Sequence, residues 1–259
     1  MRLEVGVLGV GLLGPGFTGW AQAQPALRDP ALWQAAATVL PPPARLPPTE
    51  RRRAGPVVKA SIVVADEALA GADASALPTV FTSSTGDPVN CHLLCEALAQ
   101  PQRPVSPTRF TNSVHNAPAG YWHIATGSRA PSTSLAAFDA SFGAGLLEAA
   151  VQCHATGAPV LLVACDVPYP EPLHALRPLP DSFAVALLLA PAGGRLLRLQ
   201  LGQGEVDTPC AHAGLESLRR QIPAAHALPL LLALANDSAA RVVLQGAPDL
   251  PLQLDLAAR

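Results

Sequence analysis

Apolar positions along the chain fall into two kinds of block. Short aliphatic runs bounded by Gly, Pro or Asp predict strands at 3–8, 79–83, 132–136, 160–165, 183–189 and 196–201. Between them, Ala, Val and Leu at helical spacing predict helices over 51–69, 89–99, 117–126 and 141–156. Their alternation implies an α/β fold, a sheet layered between helices on both faces. The proline-dense LPPPARLPPTE at 40–50 reads as a surface connection, because proline lacks the N–H that a central strand needs. Arg51-Arg52-Arg53 just after it reads as a solvated helix start. No internal repeat, low-complexity tail or strong domain boundary is visible.

Composition sharpens this picture. The chain has 259 residues, 49% hydrophobic and 14% charged, against roughly 25% charged in an average soluble chain, so a large buried core is expected. A net charge of −2 without a long basic run excludes a nucleic-acid partner held through phosphate contacts. Purely apolar stretches such as 227–235 fall short of the roughly 20 residues of a membrane span. Five scattered cysteines (Cys91, Cys95, Cys153, Cys165, Cys210) predict free thiols in a reducing cytoplasm rather than a disulfide framework. Cys91 and Cys95 would share one helix face beside His92, but no further ligands stand at a metal-binding spacing, so both are expected to be small buried hydrophobes and no metal is expected.

The first residues, MRLEVGVLGVGLLGPGFTGWAQAQ, admit three readings. A signal peptide is disfavoured by Glu4 beside the apolar run and Gly14-Pro15-Gly16 within it. Gly9-x-Gly11-x-x-Gly14 matches a dinucleotide fingerprint, but the second strand and acidic residue that should follow are replaced by prolines. The reading adopted is a first strand turning into a glycine-rich loop, with no cofactor.

Among candidate catalytic groups, His92, His115, His123, His154, His174, His212 and His226 show no H-x-x-x-H or H-E-x-x-H spacing, and no G-x-S-x-G elbow is present. The unusual segment is APSTSLAAFDASFGAGLLEAA at 130–150, a strand, a turn of small residues and a long helix. A residue in such a turn sits in the positive field of the helix N-terminus, and Asp139 is there.

This segment resembles the nucleophile region of β-ketoacyl synthases of the thiolase superfamily. Asn116, Ala119-Gly120, Gly127, Arg129, Pro131 and Ser134 follow the family order, which puts Asp139 in the place of the catalytic cysteine, with Ala140-Ser141 continuing the pattern. The strand VGVLGVGLLGPG also looks like a ketosynthase start. SPTRFTNSVHNAPAGYWHIATG and CDVPYPEPL are similar to the shortened ketosynthase-like chain length factors associated with aryl polyene-type pathways. The resemblance covers residues 1–200, with 104–150 its specific part. It implies a thiolase-like fold and mixed sheet, with a largely complete N-terminal half (1–200) and a truncated remnant of the second half (201–259), long enough for roughly a helix and two strands.

The resemblance also implies what is missing. A ketosynthase needs a thiolate to accept an acyl group from a carrier thioester; Asp139 would give a labile anhydride, and Cys153 lies about four helical turns away. His212 (AHAGLE) and His226 (AHALP) match neither family histidine motif. The implied protein is a non-catalytic chain length factor without cofactor. It pairs with an active β-ketoacyl-acyl carrier protein synthase, meeting the carrier protein only indirectly, in type II polyketide or fatty-acid-like synthesis. Pairing would run through the strand with Ser132 and Ser134. Thr108, Arg109 and Phe110, with Asn116 and Phe138, would line the partner's acyl tunnel or the interface. An apolar interface of more than about 2,000 Å² is expected, with aggregation or self-association of the chain alone. Two alternatives are an enzyme in which Asp139 assists decarboxylation or acyl transfer, and a docking module for acyl carrier protein.

Overall fold

The computed structural model describes residues 2–202, 205–247 and 250–259. Strand β1 (Arg2–Leu13) continues through the first glycines, which were expected to form a loop, with one register shift against its neighbour between Val7 and Gly9. Close approach, not turning, explains them. A Cβ on Gly9 would stand 2.0 Å from the Ala68 carbonyl oxygen, and one on Gly11 would stand 1.9 Å from that of Val64. Glycine therefore lets a helix, α3 (Pro56–Leu69), lie directly on the strand. Only Gly14-Pro15-Gly16 turns, closed by reciprocal bonds between Gly14 and Phe17.

Helices α1 (Trp20–Arg28) and α2 (Pro48–Arg53) precede α3. The single helix expected over 51–69 is thus two, because Ala54 is extended and Pro56 must open a new helix. The three arginines close α2 rather than starting a helix; cations suit that end of the dipole, and Arg51 bonds the Ala44 and Leu46 carbonyls. Next come β2 (Thr79–Thr82), α4 (Pro88–Ala99), α5 (Pro107–Thr111), α6 (Ala117–Thr126), β3 (Ser132–Leu135), α7 (Ser141–Thr156) and β4 (Val160–Asp166). The chain continues through α8 (Leu173–Leu176), β5 (Phe183–Ala190), β6 (Arg195–Leu201), α9 (Ala213–Gln221), α10 (Leu228–Ala235), β7 (Ala240–Ala247) and β8 (Leu250–Leu256).

Among the described residues all eight strands form one mixed sheet in the order β3-β2-β4-β5-β1-β6-β8-β7. Strand β2 pairs parallel with β3 and β4, and the remaining pairs are antiparallel. The segment after Leu201 therefore extends the same sheet with two strands, and adds two helices where one was expected.

Strand β4 is buried along its whole length, and its residues alternate between two cores. Val160, Leu162 and Ala164 face Phe142 and Leu146 of α7 with α10's Leu230 and Leu231, while Leu161, Val163 and Cys165 join Val64 of α3 and Trp122 of α6. At about 1.5–3 kcal/mol per large apolar side chain buried, these two layers fix the register, since a one-residue slip would exchange them. The expected helices on both faces are present. Strand β3 lies at the sheet's edge, and its four residues are only half-buried. Cys91 and Cys95 are exposed on α4 rather than buried.

Candidate functional site

The edge strand β3 ends at Leu135, and a short 3-10 turn (Phe138–Ala140) leads into α7. The turn's left-handed residue is Phe138, φ 53°. Ser141 Oγ locks it, accepting from the Ala137 amide (3.0 Å) and donating to the Phe138 carbonyl (2.7 Å). The helix behind is drawn in by its glycines: a Cβ on Gly143 would meet the Gln245 carbonyl oxygen at 2.1 Å, and one on Gly145 the Thr82 side chain at 2.7 Å. Thr82 Oγ1 donates to the Ser141 carbonyl at 2.9 Å, joining the helix start to β2.

Asp139 follows Phe138 and stands just ahead of α7, where the helix dipole favours an anion. Its carboxylate accepts from Arg177 Nη2 at 2.5 Å. The guanidinium of Arg177 also lies 3.7 Å over the Phe138 ring and 6.0 Å from the Tyr169 ring centroid. Sequence reasoning missed Arg177, which has no spacing signal linking it to a turn so far upstream.

The other expected site residues occupy two places. Ser132 and Ser134 lie on β3; Ser132 Oγ accepts from Thr79 Oγ1 (2.8 Å), while Ser134 Oγ is buried with no partner among the described residues. Together with Phe138 and Asp139 they form one continuous segment. Thr108, Arg109 and Phe110 are exposed on α5, held to α4 by a bond from Asn90 Nδ2 to the Arg109 carbonyl (2.8 Å). Phe110 is 69% exposed. Asn116 sits at the head of α6 without capping it, and α6 packs against β2 and β3.

No thiol stands at the turn. Cys153 is buried in α7 and burial raises its pKa; burial with the neighbouring Asp166 pushes Cys165 far up, and Cys210 is pushed up to about 12. Such thiols are poor nucleophiles. His226, half-buried in the 3-10 segment Pro223–Ala227, has a pKa lowered by burial and then by Arg219. His212 packs edge-on against Trp33, ring centroids 5.5 Å apart. Among the described residues no group of three His, Cys, Asp or Glu side chains could hold a metal ion, and no helix is long and apolar enough to cross a membrane.

The model of the β-ketoacyl synthase N-terminal domain matches residues 20–246. The chain belongs to that family. Comparison with curated protein sequences gives no match. Among solved structures, this member of the β-ketoacyl synthase family is similar to a chain of the ketosynthase ApeO in complex with its chain length factor ApeC from Xenorhabdus doucetiae, at 22% identity and TM-score 0.76, over 98% of this chain and 99% of that one. A chain of the AntDE:AntF complex, a type II polyketide synthase acyl carrier protein with its ketosynthase bound to the hexaketide, is similar at 15% identity and TM-score 0.74, over all of both chains. The ketosynthase from module 1 of the bacillaene synthase of Bacillus amyloliquefaciens FZB42 is similar at 15% identity and TM-score 0.56, over 81% of this chain and 48% of that one. The family member therefore has the thiolase-like ketosynthase fold, and its match spans about half of the bacillaene ketosynthase chain.

Proposed function

We propose that this protein is a non-catalytic chain length factor. It pairs with an active β-ketoacyl-acyl carrier protein synthase and shapes that subunit's acyl tunnel in aryl polyene or other type II polyketide synthesis. The observation that carries the reading is the turn between β3 and α7: Phe138 is at its left-handed apex and Asp139 next to it, paired with Arg177, so no thiolate is offered where condensation would need one. The free edge of β3 and the exposed Phe110, Val114 and Ile124 on or beside α5 and α6 support pairing with a similar subunit. On this reading residues 201–259 are the remnant of the second half, and Ser132 and Ser134 lie in the interface. Thr108, Arg109, Phe110 and Asn116 border the tunnel.

The enzymatic alternative needs the Asp139 carboxylate for proton or acyl transfer, and its pairing with Arg177 weighs against that. Co-expression with a candidate ketosynthase followed by size-exclusion chromatography is the deciding experiment. A stable pair whose turnover survives Asp139→Ala and Asp139→Asn is expected. Loss of turnover in an intact pair would make Asp139 catalytic, and capture of acyl carrier protein without any ketosynthase would make the chain a docking module.

A further inference from the structure

Cysteine is among the side chains most often buried, and Cys153, Cys165 and Cys210 follow that habit. Cys91 and Cys95 do not: both are exposed on α4. Residues at this spacing share one face of a helix, with their Cβ atoms about 5–6 Å apart. Packing does not account for them. The buried residues of α4 are Pro88 and Asn90, in its first turn, where Asn90 Nδ2 donates to the Arg109 carbonyl of α5 at 2.8 Å, and the turns that follow carry the two sulfurs into solvent. The pair interacts, for partial burial and then Cys95 hold the Cys91 thiol above its ordinary pKa. His92, on the neighbouring face, is turned to Glu96 instead, Nε2 to Oε1 3.3 Å.

We propose that Cys91 and Cys95 form a two-sulfur binding site for a soft monovalent cation, copper(I). The donor set chooses the ion. Structural zinc asks for a full tetrahedral set of ligands, and among the described residues no group of three His, Cys, Asp or Glu side chains could hold a metal. Thiolate sulfur selects copper(I), and a two-coordinate ion asks for no more than this pair. The spacing agrees. A disulfide needs Cβ atoms about 3.5–4.5 Å apart, closer than successive turns of a helix bring them, whereas two metal–sulfur bonds of about 2.3 Å each bridge the sulfurs with α4 intact. On binding, each Sγ forms a bond to the ion and releases its thiol proton to solvent. Copper stays copper(I), so no electron moves and no oxidant is needed. The site stands independently of the chain length factor reading.

The test uses the full chain, reduced and kept free of oxygen, titrated with copper(I) against a coloured copper(I) chelator. The unaltered protein should withdraw one equivalent per chain and develop an ultraviolet thiolate-to-copper band. Cys91→Ser and Cys95→Ser should each lose the equivalent and the band at unchanged circular dichroism, since both positions are exposed, and His92→Ala should keep them. Should either serine variant not fold, Cys91→Ala and Cys95→Ala decide in its place. No withdrawal by the unaltered protein would overturn the proposal. Retention of the equivalent in both serine variants would do so too, assigning the ion to another thiol, as would its loss in folded His92→Ala. Half an equivalent per chain, with copper-dependent dimers in size-exclusion chromatography, would mean that the two sulfurs come from different chains, and the site within one helix would be wrong. Zinc(II) alone should show no binding that depends on these two cysteines; binding there as tight as that of copper(I) would refute the two-coordinate site.

Discussion

The Asp166 carboxylate at the end of β4 accepts a hydrogen bond from the Ala224 amide at 2.8 Å, tying the sheet to the 3-10 segment Pro223–Ala227. Its other oxygen accepts from the Ser84 amide (2.8 Å), Ser84 Oγ (2.7 Å) and Ser83 Oγ (3.2 Å). The group is buried, and burial raises its pKa against the pull of these donors. Asp166→Asn is not conservative here, because an amide must point an N–H at one of these N–H or O–H donors. We expect Asp166→Asn and Asp166→Ala each to cost about 2–4 kcal/mol, read from the urea midpoint. A loss below about 0.5 kcal/mol in both would show that the junction carries no stability.

Two glycines that look equivalent in the sequence should respond oppositely to alanine. At Gly11 the new methyl group meets a backbone oxygen of α3 at 1.9 Å, so sheet and helix must separate; Gly11→Ala should cost about 3 kcal/mol or more. At Gly120 on α6 nothing lies within 4 Å, so Gly120→Ala should gain about 0.5–1 kcal/mol from helix propensity. Thermal denaturation of both variants checks the contrast, and equal shifts would refute it.

The same glycines show where the sequence was legible. Period and punctuation located the six strands of the first 201 residues to within a residue or two, apart from β1, and gave α6 and α7 their observed limits. Strand β1 was cut short because Gly9 and Gly11 were read as chain-bending residues, when their role is to let α3 approach. Helix α1 was hidden by Pro25 inside it, which removes one helical bond that tertiary packing of Ala23 and Leu27 offsets. Strand β8 was visible in principle: Leu250, Leu252, Leu254 and Leu256 alternate with Pro251, Gln253 and Asp255. Of the candidate site, the continuous run from Ser132 to Asp139 could be read, but Arg177 could not, because only the fold brings it to Asp139.

A partly buried ion pair on α9 sets an acid limit. Arg219 bonds both oxygens of Glu216 at 2.7 Å and the Cys210 amide adds a third bond, so the Glu216 carboxyl is lowered to about 2. For a carboxyl whose pKa is depressed in the fold, the stabilisation is complete above its unfolded value and is lost as pH falls toward the folded one. With screening, this pair contributes about 1 kcal/mol. The urea midpoint of the protein should therefore exceed that of Glu216→Gln above about pH 5, and the gap should close between there and about pH 2. A pH-independent gap would assign the difference to packing.

Pairing should be separable from folding at α6. Ile124 is 52% exposed on this helix, which packs against the edge strand β3. Ile124→Asp should leave the isolated fold within about 0.5 kcal/mol and abolish co-elution with the ketosynthase, because a charge placed in an apolar interface is left unpaired. Normal co-elution would move the interface away from this edge.

Restoring a thiol at the turn should not restore chemistry. Asp139→Cys supplies the nucleophile in the dipole field of α7, yet condensation also needs groups that bind the thioester carbonyl and promote decarboxylation. On the proposed non-catalytic reading the histidines after Leu201 do not supply them; His212 packs on Trp33, and His226 lies half-buried with Nδ1 unpartnered among the described residues. We expect the Asp139→Cys protein to remain inactive alone in an acyl-transfer and elongation assay. The variant also loses the Arg177 pairing, so its Arg177 is freed and its turn loosened. Elongation of acyl-carrier thioesters by the purified variant would mean that the remaining residues already form a working condensing site, and the non-catalytic reading would fail.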